Sequence, residues 1–135
     1  MADRGQLPLA LVEAAVGVVF LLAIGTAFAF GIPSPASEPA QLDAYADDAA
    51  TVLASEPPRH AGTTRLAEVA RSEAAFDREA AALDRRTDRI LPANLLYRVE
   101  TPHGAVGYPV PAGVAVGERT VATGYGPVTI RVWYA

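Results

Sequence analysis

From Ala14 to Ile32 the chain runs for 19 residues in which Thr26 is the only polar side chain. A helix of that length is about 28 Å long, close to the roughly 30 Å hydrocarbon core of a bilayer. The pattern predicts one membrane-spanning helix over about residues 7–31. Pro8 is expected in its first turn, where a missing N–H leaves no bond unmade. The stretch GIPSP (Gly31–Pro35) is expected to end it. Ala27-Phe28-Ala29 has the small-x-small form of a signal-peptide cleavage site. The apolar part is longer than a usual signal core, however, and the run contains a carboxylate, which favours an anchor over a removed signal. Arg4 is the only basic side chain ahead of the helix. The short N-terminus is therefore expected in the cytoplasm and the remainder of the chain outside.

That carboxylate is Glu13, in DRGQLPLALVEAAVG (Asp3–Gly17). A lone charge inside an apolar membrane segment is costly and marks a functional position by default. Two readings stay open. In one, Glu13 marks the membrane edge, and its charge is favoured by the positive end of the helix dipole. That leaves Leu7, Leu9, Leu11 and Val12 as apolar residues on the wrong side of it. In the other, Glu13 lies within the membrane and is neutralised by a partner.

Arg4-Gly5-Gln6 followed by an apolar helix with an early glutamate resembles the class III signal of archaeal type IV pilin precursors. Leu11-Val12-Glu13 and the apolar run after it are also similar to the start of bacterial pilins and pseudopilins. The whole chain is similar to a haloarchaeal group of short, pilin-like, single-span membrane proteins. The resemblance implies a prepilin-type peptidase that cuts after Gly5. Arg4 is then the basic residue of the signal and Gln6 the new N-terminus. It also implies that the helix packs with other pilin-like subunits or an assembly platform, with Glu13 setting the register. In the family pattern the acidic residue is the fifth of the mature chain; here the fifth is Ala10 and Glu13 is the eighth. Gln6 and Glu13 are about 10 Å apart along a helix, so a new amine on Gln6 would pair with the Glu13 of a shifted neighbour, not with its own.

Residues 32–40 read as a Pro/Ser-rich linker, which separates a leader (1–6) and helix (7–31) from an outer domain (41–135). The domain is expected to be α+β. An amphipathic helix over residues 39–54 carries Leu42, Tyr45, Ala49, Val52 and Leu53 on one face. Thr64 is placed to cap a short helix, and Ser72 a longer one over Glu73–Ile90. That longer helix buries Phe76, Ala80, Leu83, Thr87, Ile90 and Leu91. After Asn94 the period becomes two, as in a small antiparallel sheet of three to five strands. Leu95, Tyr97 and Val99 share one face, as do Val106, Tyr108 and Val110, and Val128, Ile130, Val132 and Tyr134. Trp133 is expected to complete the sheet core.

Composition narrows the function classes. The 135 residues include no cysteine, so disulfides and thiolate metal or redox sites are excluded. Fifteen carboxylates stand against eleven basic residues, all arginine. There is no clustered basic face for nucleic acid. The lysine-free, acidic, alanine-rich balance fits a GC-rich genome and a protein facing high salt. His60 and His103 lie in expected turns without metal-ligand spacing, and no nucleophile elbow occurs. No catalytic, metal or cofactor site is therefore expected. The cluster Asp43, Asp47, Asp48 reads as a solvated helix side. The alternative to the pilin-like subunit is an unprocessed, single-span anchor bearing an outer binding or scaffold domain.

Overall fold

In a computed structural model, residues 3–31 and 37–135 are described, and they divide into two compact units, one ending at Ala36 and the other spanning Ser37–Ala135. The first contains helix α1, Asp3–Gly31. Its segment Pro8–Phe30, 23 residues, is long and apolar enough to cross a membrane and is wholly unburied. α1 begins earlier than residue 7. Pro8 therefore lies inside the helix rather than in its first turn, where it removes one main-chain hydrogen bond. The expected leader from Asp3 to Gln6 is thus helical. Met1, Ala2 and most of the expected linker (32–36) lie outside the described residues.

The second unit is an α+β domain. Helices α2 (Glu38–Ser55), α3 (Arg65–Ala70) and α4 (Glu73–Ile90) precede strands β1 (Leu95–Thr101), β2 (Gly104–Gly107), β3 (Gly117–Thr123) and β4 (Gly126–Tyr134). The last linker residues, Glu38 to Ala40, belong to α2 instead. Pro39 there takes a first-turn position that suits it. The Thr64 hydroxyl accepts the Ala67 N–H at 3.1 Å, and the Ser72 hydroxyl accepts the Ala75 N–H at 3.1 Å. Both side chains thereby start their helices by satisfying a donor that the first turn leaves unpaired.

The sheet is antiparallel, in the order β2-β1-β4-β3. Leu95, Tyr97 and Val99 of β1 and Val128, Ile130 and Val132 of β4 face the helices. They pack in one core with Leu42 and Leu53 of α2, Leu66 and Val69 of α3, and Leu83 of α4. On α2 the buried stripe is carried by Ala46, Ala49 and Ala50, while Tyr45 and Val52 are only half-buried. The helix thus approaches the sheet closely through small side chains. At Gly117 a Cβ would fall on the main chain of Leu42 and Asp43. β2 stops at Gly107, whose φ of 96° turns the chain, so Val110 is not a strand residue. Trp133 is 1% exposed, and its indole N–H finds no partner among the described residues. By strand alternation it lies on the face opposite Val132, buried but outside the core cluster that was expected to hold it. The Tyr97 hydroxyl lies 2.8 Å from the Asp84 carboxylate and 2.9 Å from its carbonyl. Burial, then the Asp84 hydrogen bond and charge, push this phenol well above the ordinary tyrosine value.

Both borders of the sheet are guarded. On β3 the Glu118 N–H donates to Asp43 Oδ1 of α2 at 3.1 Å, and Arg119 pairs with Asp47 at 3.2 Å. Two of the three aspartates read as a solvated side thus tie α2 to the outer strand. On the other border β2 is only four residues long and holds two glycines. Short edges and edges covered by a helix resist pairing with another chain.

This architecture predicts that the domain folds without α1. A chain beginning at Ser37 is expected to unfold in one cooperative transition when followed by circular dichroism. A product without such a transition in both low and high salt would refute an independent domain.

Candidate functional site

Two arrangements hold chemistry-bearing side chains. The first is α1, which carries Arg4, Gly5, Gln6 and Glu13 on one helix. The side chains of Arg4 and Gln6 lie outside the described residues. Glu13 is exposed, as are its neighbours from Pro8 to Phe30, and no group among the described residues pairs with it. Seven positions separate Gln6 from Glu13, so helix geometry puts them on one face about 10 Å apart along the axis.

The second arrangement lies in the domain, where the loop between α2 and α3 meets α4. Glu68 of α3 is 0% exposed and Glu79 of α4 is 2% exposed. The Glu68 carboxylate accepts three main-chain N–H groups of the loop: Arg59 at 2.9 Å, His60 at 2.9 Å and Ala61 at 2.5 Å. Burial alone raises a carboxyl. Here the bonds from Ala61, Arg59 and His60, with the nearby His60 charge, outweigh burial and hold Glu68 below the ordinary glutamate value. The Glu79 carboxylate takes His60 Nδ1 at 2.5 Å, the Arg59 guanidinium at 3.2 Å and Arg78 Nε at 3.5 Å. Glu56, at the end of the same helix–loop junction, holds Arg86 Nε of α4 at 2.5 Å and Arg65 Nε of α3 at 3.4 Å.

His60, Glu68 and Glu79 bring possible metal-ligand atoms within 4.8 Å of one another. Glu68 is nevertheless taken up by three main-chain N–H groups, and Glu79 faces Arg59, Arg78 and His60. The arrangement fastens a loop. His60 lies in a loop, in line with the expected turn, but its pairing with Glu79 was not read from the sequence. The spacing Phe76, Glu79, Leu83 on the buried stripe of α4 was the signal for Glu79. His103, by contrast, sits in the exposed turn after β1, its N–H on the Thr101 hydroxyl at 3.2 Å.

The sheet's far face carries a further charge ladder. Arg131 of β4 reaches Glu100 of β1 and Glu118 of β3, each at 2.7 Å, and Arg98 reaches Glu100 at 3.0 Å. Hydrogen bonds from Arg98 and Arg131 hold the Glu100 carboxyl below its ordinary value. Such solvent-facing pairs add little stability and fix cross-strand neighbours.

No curated protein and no solved structure matches the chain. A single pattern covers the apolar helix and the domain together: the sequence matches that of the Family of unknown function (DUF7262) over residues 3–134 and belongs to that family.

Proposed function

We propose that the protein is a pilin-like subunit, minor or accessory in kind, of an archaeal type IV pilus-like envelope assembly. Its N-terminal helix anchors it in the cell membrane with the domain outside. A prepilin-type peptidase removes Met1 to Gly5. The helix then packs against pilin-like neighbours or an assembly platform, with Glu13 neutralised by the amine on a neighbour's Gln6. The observation that carries this reading is Glu13 itself, an exposed carboxylate with no partner among the described residues, on a helix whose Pro8–Phe30 segment is long and apolar enough to span a bilayer. Placing such a charge in lipid costs about 2.5–3.5 kcal/mol at a helix centre, and a register partner removes that cost.

The separate core of the Ser37–Ala135 unit favours a second reading, an unprocessed anchor bearing an outer scaffold domain. Mass spectrometry of the N-terminus of the membrane-bound protein separates the two. The pilin-like reading expects Gln6 as the first residue in wild type and an uncut chain in Gly5→Val. It also expects Glu13→Ala to be cut normally but to lose cross-linked neighbours. An N-terminus beginning at Met1 or Ala2 in both wild type and Gly5→Val would leave the scaffold reading.

A further inference from the structure

The connection from Tyr108 to Val116, YPVPAGVAV, crosses from one border of the sheet to the other. No charged residue lies anywhere between Glu100 and Glu118. Tyr108, Pro109 and residues Pro111 to Val114 of the connection are exposed, while Val110, Ala115 and Val116 are half-buried, Ala115 against the core. Among the described residues outside α1, the exposed large apolar side chains are Tyr108 (48%), Val114 (42%) and Tyr125 (51%). Two of these three lie on it.

Its place in the domain is fixed at both ends. The Tyr108 N–H donates to the Tyr97 carbonyl at 2.8 Å, beside the start of β1. Gly117 pairs with Val132, beside the end of β4. α2 starts at this same end, because the Tyr134 hydroxyl donates to Gln41 Oε1 at 3.2 Å and Asp43 holds the Glu118 N–H. Only residues 32–36 lie between Gly31 of α1 and Ser37, and that length of chain reaches at most about 20 Å. The apolar connection therefore occupies the end of the domain at which the chain arrives from α1.

We propose that the Tyr108–Val116 connection docks on the lipid surface, at the boundary between headgroups and acyl chains. The proposal rests on reading α1 as a membrane span. The chemistry fits a lipid occupant. No charge has to be desolvated. Pro109 and Pro111 have no main-chain N–H to leave unpaired. A tyrosine suits the interface, with its ring in the apolar layer and its hydroxyl in water. Tyr125 lies past the far end of β4, about 24 Å along the strand from Val132, where the connection is anchored, and stays in water.

The cysteine-free chain permits a direct test. Full-length protein is reconstituted in vesicles of phosphatidylcholine and phosphatidylglycerol. Single nitroxide labels are placed at Val19→Cys, Val114→Cys and Tyr125→Cys. Collision rates with oxygen and with a water-soluble nickel complex are then read by electron paramagnetic resonance. The Val114 label is expected to resemble Val19, with nickel collisions several-fold below those at Tyr125 and oxygen collisions above them. A dry Val19 label with a Val114 label as wet as Tyr125 overturns the docking alone. A wet Val19 label overturns the membrane span on which the docking rests. A Val114 label shielded from both reagents overturns a lipid occupant in favour of a protein one, such as a second copy.

Discussion

Gly117→Ala is expected to destabilise the domain by about 3 kcal/mol or more, at the upper end of what overpacking costs. A Cβ at this position meets main-chain atoms of α2, not the flexible end of a side chain. Relief requires moving either the helix or the strand, and Leu42 and Val132 in the core move with them. At roughly 4–8 °C per kcal/mol for a domain of this size, the melting temperature falls by more than about 12 °C. Gly124→Ala serves as the control. Its added Cβ meets open space, and its effect stays within about 0.5 kcal/mol. Equal melting temperatures for the two variants would show that α2 does not pack on β3 this closely.

Glu68→Ala is expected to cost about 3–5 kcal/mol. It leaves three main-chain donors without the acceptor that now holds them, each such loss costing about 1–3 kcal/mol. Glu68→Gln keeps the shape but turns one acceptor oxygen into a donor facing N–H groups, so it rescues only in part. The wild-type domain carries a matching pH dependence. The folded-state value of Glu68 lies below its ordinary 4.5, so the unfolded chain takes up the proton first as pH falls. The stabilisation is fully present above about 4.5 and is lost as pH drops through the lower folded value. Denaturant unfolding of wild type and Glu68→Ala between neutral pH and pH 3 should show the gap narrowing on the acid side. A gap that stays constant would mean that the carboxylate charge is not what holds the loop.

The sequence marked some of this architecture well and other parts poorly, for physical reasons. α4 was legible at both ends because Ser72 and Pro92 flank a clean helical stripe. β1 and β4 were legible because their large apolar residues alternate. β2 was drawn too long, since Val106, Tyr108 and Val110 alternate as well, and only the positive φ at Gly107 shows that the chain turns away. β3, GERTVAT, was not named: it is an outer strand with one buried position, and it has no strong alternation to read. The contrast between two glutamates is the most instructive. Glu13 stands out as a charge within an apolar run. So does Glu68 in LAEVA, yet its partners are main-chain N–H groups of a loop, which leave no mark in side-chain pattern. A lone carboxylate in an apolar stretch is therefore a question with at least two answers, and only the fold tells which applies.

The guarded borders of the sheet bear on what happens when many copies share one surface. Proteins tethered to a plane meet far more often than the same number free in solution, because one dimension of escape is gone and the tether fixes which side faces up. A bare strand under those conditions would zip to its neighbour's. Here Asp43 and Asp47 hold α2 against β3, and β2 is too short to template a partner. Strand pairing between crowded domains is thereby disfavoured. On the proposed reading, in which the helix packs the subunits, lasting attachment between copies is left to the helix.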